Sequence, residues 1–435
     1  LSLTTAEEVT AASRYTESIE DAPASVTIIT AQELRAMNYP TIAEAVRGVR
    51  GIYLSNDTSY DTIGVRGFSR PGDYGNRILI LVDGHPANDD YIWSSYVGFD
   101  GRTDIDDIER IEIIRGPGSV LYGTSAFFGV INLVTRSHDM PTHGEAKIDT
   151  VLGAGRGRVT GYWRASKDAG AWMSVASAHG GGQTYHFEEL RTGSNVPGNN
   201  AAYNPCNPGG TDYYGLPCTG DAIGVDGFNS FTVNGRAWWK SLTLQWFLTT
   251  RKKFLPAGEY ATTFLDPNTN FTDTRGFVEA RFEPQLTKTT QLFVRAHLDM
   301  YNFDDFLGYP SVAQGGTGDE VDTFRGRWGG LEARVQYSGD KLRLMAGGEI
   351  IDHYQTLQEG VNAVQPVLFD NNGNAGRNDP FFVGAGYLNA DIVPSSAIKI
   401  SAGARVDYYS SIVNPQFLDV FNPRLALILK PSKRD

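Results

Sequence analysis

Residues 109–135 read ERIEIIRGPGSVLYGTSAFFGVINLVT, and this stretch decides the architecture of the chain. Ile111 and Ile113 alternate with charged neighbours as in a strand, which runs into Arg115-Gly116-Pro117-Gly118. A small-residue passage, Tyr122-Gly123-Thr124-Ser125-Ala126, leads into a second apolar strand from Val130 to Val134. Upstream, Ile63-Gly64-Val65-Arg66-Gly67-Phe68 repeats the theme of a strand broken by an arginine and glycine. Gly67, Gly116, Gly118, Gly123 and Gly129 permit tight turns or close approach of the backbone to a neighbouring wall, and none is assigned a catalytic role.

Working outward, the first third reads as a mixed α+β globule. Val26 to Ile29 is a short strand, and Thr30 with Glu33 three residues on is a capping box that predicts a helix from Ala31 to Met37. Thr41 with Glu44 predicts a second helix from Ile42 to Arg47 in the same way. Ile78 to Val82 is a buried strand ended by the tight turn Asp83-Gly84. His85 follows that turn and could be a ligand, although a lone histidine in a turn is more often simply exposed.

Beyond residue 144 the hydrophobic period changes to two. Leu292, Val294, Ala296, Leu298 and Met300 share one face, opposite Gln291, Phe293, Arg295, His297, Asp299 and Tyr301. The strands are about ten residues or longer, as a tilted bilayer-spanning strand requires. Short turns at 167–170, 239–240, 284–288, 338–341 and 393–396 alternate with long polar loops at 180–226, 251–270, 302–323, 355–380 and 411–420. Such sorting of loop lengths is the pattern of an outer-membrane barrel. About twelve strands are expected, from residue 145 to residue 430, whereas a barrel wide enough to hold an internal domain has roughly 22. No run of about 18 apolar residues offers a helical span. A soluble α+β enzyme with a β-sandwich is the competing architecture.

Composition narrows the functions. The net charge of −12 has no basic stripe to offset it, which argues against nucleic acid as a partner. No nucleophile–base set, phosphate loop or metal-ligand cluster stands out, so neither an enzyme activity, a resident cofactor nor a metal site is expected. The two cysteines, Cys206 and Cys218, lie close together in a loop rich in Gly, Pro and Asn, and one local disulfide in an oxidising compartment is the expectation. No signal peptide opens the chain, which suggests a mature or trimmed form.

Taken in order, Ala22-Pro23-Ala24-Ser25-Val26, the Ile42–Gly51 segment, Arg66-Gly67, Leu81-Val82-Asp83-Gly84, Ile108 to Pro117, and Leu121-Tyr122-Gly123 through Ile131-Asn132 resemble the plug domain of a TonB-dependent outer-membrane receptor. Asn422-Pro423-Arg424 resembles the barrel of the same family. The resemblance implies an N-terminal segment at 1–20, a plug at 21–137 and a partial transmembrane β-barrel at 138–435. It also implies a function: energy-coupled import of a scarce nutrient, a ferric siderophore first among the candidates, with the TonB complex as inner-membrane partner and a metal chelate as ligand.

The resemblance further implies site residues. Arg66 and Arg115 would pair with barrel glutamates, for which Glu332 and Glu349 are the candidates because alternation turns both toward the lumen. Glu7-Glu8-Val9-Thr10-Ala11 is the best match to a TonB-contact box, captured by strand addition. Arg70, Tyr74, Tyr91, Trp93 and Tyr96 lie in outward plug loops where aromatics and arginine suit a chelate. An open half-barrel would leave unpaired strand edges in lipid. The remaining strands are therefore expected from a second chain, with a truncated polypeptide as the other explanation, and a surface binding or assembly module that transports nothing is the alternative function.

Overall fold

The computed structural model describes residues 8–12, 14–69, 72–101, 104–136, 139–151, 153–187, 219–309, 311–312, 317–364, 366–367, 376–411 and 419–430. Cys206, Cys218, Glu7 and Arg70 fall outside them, and so does the disulfide expectation.

Local sequence chemistry builds the N-terminal domain. Strand β1, Ser25–Thr30, leads directly into α1, Ala31–Met37, whose first turn is capped by the Thr30 hydroxyl accepting the Glu33 N–H at 3.3 Å. Thr41 caps α2, Ile42–Val46, identically through Glu44. The hairpin of β2, Ile52–Asn56, and β3, Asp61–Val65, follows. Then come β4, Ile78–Val82, β5, His85–Pro86, β6, Ile108–Arg115, α3, Ser119–Tyr122, and β7, Gly129–Thr135. A five-stranded sheet forms in the order β1-β6-β7-β4-β5, with β4 and β7 parallel and the other pairs antiparallel.

Both faces of this sheet are covered, which is why β4 reads ILILV without polar alternation. Ile78, Ile80 and Val82 join Leu34, Ile42, Val46, Ile111, Ile113 and Ile131 on one side. Leu79 and Leu81 join Val9, Ala11, Ile114 and Val130 on the other. Phe247 and Phe277 of the following sheet complete the first cluster, so the plug core is continuous with the wall around it.

Among the described residues that wall is a meander of twelve strands, each antiparallel to the next. They are β8 His143–Val151, β9 Ala154–Ser166, β10 Ala169–Gly180, β11 Phe228–Trp239, β12 Leu242–Phe254 and β13 Asn270–Phe282. β14 Thr290–Phe306, β15 Glu320–Ser338, β16 Leu342–Asn362, β17 Phe381–Ser395, β18 Ile398–Tyr409 and β19 Asp419–Leu429 continue it. The expected strand count and the short turns are both found. The loops 302–323 and 355–380 are shorter than expected, because β14 to β16 keep pairing far past the others, from Glu320↔Asn362 onward.

The wall is apolar outside and polar inside. Ile148, Leu298, Leu331, Leu388 and Leu425 are exposed, whereas Arg156, Thr232, Gln245, Glu279, Glu332, Asp391 and Arg405 are buried. In water this distribution would be inverted; it fits a sheet whose outer solvent is hydrocarbon. Outward-facing Trp163, Trp239, Phe282 and Tyr337 gather at the short-turn end, and Phe231, Phe382 and Tyr408 lie toward the other. Trp239 and Phe231 on β11 are roughly 26 Å apart at about 3.3 Å per residue, close to the height of an apolar barrel band. No helix among the described residues is long and apolar enough to cross a membrane.

Leu298→Arg tests this orientation. It should cost about 2–4 kcal/mol of folding stability in bilayers, whereas a water-exposed Leu298 would tolerate the change; denaturant titration of the vesicle-refolded protein measures the difference.

Candidate functional site

At the long-loop end, plug and wall enclose an aromatic cavity of about 310 Å³. The plug supplies Tyr60, Tyr74, Tyr91 and Tyr96, and the wall side supplies Tyr260, Phe271, Tyr301, Phe303 and Phe324. Asp89 shapes the plug's contribution: its carboxylate accepts the backbone N–H groups of Tyr91, Ile92, Trp93 and Ser94 at 2.7–3.1 Å, folding residues 89–94 into a compact turn. Tyr91 stacks on Phe324 at 4.4 Å and Tyr60 meets Tyr74 edge-on at 5.4 Å.

Beneath the cavity floor lies a polar chain. The Tyr96 hydroxyl donates to Tyr301 at 2.7 Å, Tyr301 donates to Asp273 at 2.9 Å, and Arg251 donates to the same carboxylate at 2.9 Å. Arg275 lies over the Tyr96 ring at 3.5 Å. Burial, followed by the Asp89 and Asp273 carboxylates, holds the Tyr96 hydroxyl well above the ordinary phenol range, so it remains a donor. Asp305 and Asp322 contribute acidic groups to the rim of the cavity.

Of the loop residues singled out from sequence, Tyr74, Tyr91 and Tyr96 come together here. Trp93 does not: it adopts a left-handed backbone, φ +60°, and lines a separate inner cavity with His85 and His353. Tyr301 and Phe303, which sequence reading did not group with those tyrosines, lie on the lumenal face of β14 where it nears a long loop. That combination of alternation and position was the available signal.

Lower in the lumen, register brings like charges together. Arg295, Glu332 and Glu349 are directly opposite one another on β14, β15 and β16. Two facing carboxylates repel unless cations intervene. Arg295 reaches Glu332 at 2.8 Å and Glu349 at 3.7 Å, Arg334 reaches Glu332 at 3.1 Å, and Arg405 pairs with Glu349. The remaining cation comes from outside the wall: Arg14 pairs with Glu332 and lies between the Tyr122 and Tyr387 rings.

The expected pairing of Arg66 and Arg115 with Glu332 and Glu349 is therefore corrected. Both glutamates are buried in the lumen, but their cations are Arg14, Arg295, Arg334 and Arg405. Arg66 instead donates to the Arg115 carbonyl at 2.9 Å, and Arg115 donates to the Arg50 carbonyl at 2.5 Å and to Thr27 Oγ1 at 2.9 Å. These two guanidiniums satisfy plug backbone, so they are not directed at the carboxylates.

The expected partner-contact segment is not a free strand either. Glu8–Val9 pairs with Glu17–Ser18, Val9 and Ala11 are buried, and the N–H groups of Thr10 and Ala11 donate to Glu112 at 3.2 and 2.9 Å. Lys399 holds the same hairpin to the wall through Glu17 at 2.6 Å, while itself pairing with Asp391 at 3.0 Å. Any partner adding a strand here must first release the segment.

A third plug–wall contact joins Asp104, Asp106 and Asp107 of the plug to β8 and β9. Arg158 reaches Asp104 and Asp107 at 2.8 Å each, and Lys147 reaches Asp106 at 2.7 Å. Burial and the adjacent Asp107 nevertheless push the Asp104 carboxyl up to about 6.

These features define a class: a β-wall of membrane-spanning strands with a folded plug docked into its polar face. Residues 18–130 match the family described as TonB-dependent Receptor Plug Domain. The chain is 33 % identical over 152 residues to an iron-regulated outer membrane virulence protein of Vibrio cholerae, an alignment covering 33 % of this chain and 22 % of that protein. It is 30 % identical over 176 residues to a vitamin B12 transporter of Vibrio vulnificus, covering 40 % and 26 %. In fold it resembles the ferric enterobactin receptor of Pseudomonas aeruginosa, with a TM-score of 0.65, 16 % identity and coverage of 96 % of this chain and 60 % of that one. The pyoverdine receptor of the same organism gives 0.66, 14 %, 96 % and 62 %.

Residues 18–130 thus match the plug domain of TonB-dependent receptors, and the chain as a whole shares the plug-and-barrel fold of these solved receptors. It spans about three-fifths of those solved receptors, whose remaining portion belongs to the same polypeptide. The expected second chain therefore finds no support.

Because Asp104 has a folded value above its ordinary 3.8, the folded state takes up a proton as pH falls from about 6 to about 4. Its contribution to stability thus rises as the pH falls through that window and is lost as the pH rises. Denaturant titrations at pH 4 and pH 7 should show Asp104→Asn losing this component; an unchanged pH dependence would count against it.

Proposed function

We propose that this chain belongs to an importer that captures a metal chelate in the aromatic cavity and releases it inward when the plug is remodelled by the TonB complex. The observation that carries this reading is the cavity itself: tyrosines from plug and wall meet at the long-loop end, over a floor that belongs to both parts. A ligand seated there touches the element that must move. Ferric siderophores are the favoured class, since named relatives include a ferric enterobactin receptor and an iron-regulated outer membrane protein. Large aromatic surfaces with hydroxyl edges suit such ligands, supplying contact area at low conformational cost.

Energy coupling would enter through residues 7–18. Pulling this segment from the inner-membrane side would strip Arg14 from Glu332 and Glu17 from Lys399. Each departure removes one partner from a buried charged cluster, leaving Glu332 with Arg295 and Arg334 and Lys399 with Asp391. Docking is thus stable at rest but vulnerable to force applied at one end.

Uptake and equilibrium binding of labelled ferric chelates by the full receptor test the proposal. Tyr91→Ala with Tyr260→Ala should weaken binding at least tenfold and reduce uptake in parallel. Arg14→Gln should leave binding near the parent value while altering uptake. Normal binding and uptake of every chelate by the tyrosine variant would overturn the assignment of the cavity.

A further inference from the structure

We propose that His85, His297 and Asp299 form a divalent transition-metal site that clips the plug to the barrel wall. The Asp83-Gly84 turn, with φ of +51° and +82°, sets His85 on β5, the edge strand of the plug sheet, and against β13 and β14. There its Nε2 lies 2.7 Å from Asp299 Oδ1, and His297 Nδ1 lies 2.5 Å from Asp299 Oδ2. One donor atom from each of the three residues lies within 4.8 Å of the others, and all three residues are buried.

Charge is the independent argument. Glu279, beside this group, is already matched by Arg281, by Arg295 at 3.5 Å and by Gln245 at 2.9 Å. Asp299 has no such cation: among the described residues its hydrogen-bond partners are the two imidazoles alone. A buried carboxylate in that setting requires a positive charge at the imidazoles, supplied either by protons or by a metal ion. Two nitrogens and one oxygen are donors suited to Zn²⁺, Co²⁺ or Ni²⁺.

The surroundings meet the further needs of a metal centre. Glu279 accepts from His85 Nδ1 at 2.7 Å, the carboxylate–imidazole arrangement that fixes the tautomer and leaves Nε2 for the metal. Phe277 stacks on the His85 ring at 3.8 Å and sets its plane. A cavity of about 80 Å³ adjoins all three ligands, with room for a water to complete the coordination. On loading, the ion takes the lone pairs of His85 Nε2 and His297 Nδ1, and any protons there leave to solvent. Since His85 belongs to the plug and the other two ligands to β14, the ion would cross-link the two parts. This assignment is independent of what the aromatic cavity binds.

The test uses the full receptor, purified in detergent and stripped of metal. Titration with Co²⁺ should yield one equivalent with visible d–d absorption, displaced by Zn²⁺. Zn²⁺ should slow hydrogen exchange across residues 78–88. His85→Gln and His297→Gln should each lose the band, His143→Gln at the wall's rim should keep it, and Glu279→Gln should weaken affinity about 10–100-fold. Absence of the band from the unaltered receptor would overturn the site whether or not the variants fold. So would one equivalent that survives both histidine substitutions.

Discussion

Everything in this fold depends on neutralising carboxylates that face inward from a membrane-spanning wall. Hydrocarbon outside forces the polar residues of each strand to the lumen, and register then sets Glu332 against Glu349. Neither charge can stand alone in a water-poor interior. Arginines of the wall supply part of the answer, and Arg14 of the N-terminal segment supplies a part the wall does not. The plug is thus more than a filler of space: its charges complete those of the barrel. The same logic recurs at Asp83 with Arg236 at 2.5 Å, at the Asp104–Asp107 group, and at Asp299 with its two imidazoles.

Much of this was legible where the determinants are local. Thr30 and Thr41 announced their helices because a cap needs only the residue three positions on. Asp83-Gly84 announced its turn because both positions require positive φ. Period-two alternation identified the wall and correctly turned Glu332 and Glu349 inward. Alternation assigns a face, however, and says nothing of who stands opposite. Arg14 and Glu332 are 318 positions apart, so nothing in either neighbourhood marks the pair. Arg66 and Arg115 looked eligible but are occupied by carbonyls that a linear sequence does not display.

His85 shows the same limit more sharply. A histidine after a tight turn is ordinarily in water, and this one is 1 % exposed because β13 and β14 close over it. The tyrosines fared better, since aromatic residues in outward loops have few places to go except the shared cavity. Trp93 departed from them because Asp89 gathers the amides of its turn and rotates that residue away.

The central claim is that the plug's N-terminal segment, rather than Arg66 or Arg115, completes the wall's charge. A double-mutant cycle decides it, using Arg14→Gln and Glu332→Gln in the full-length protein, with Arg115→Gln and Glu332→Gln as the comparison. Hydrogen exchange of residues 8–18 supplies the opening free energy for each variant. A coupling of about 2 kcal/mol or more for Arg14–Glu332, with one near zero for Arg115–Glu332, is predicted. Coupling confined to the Arg115 pair would contradict the account.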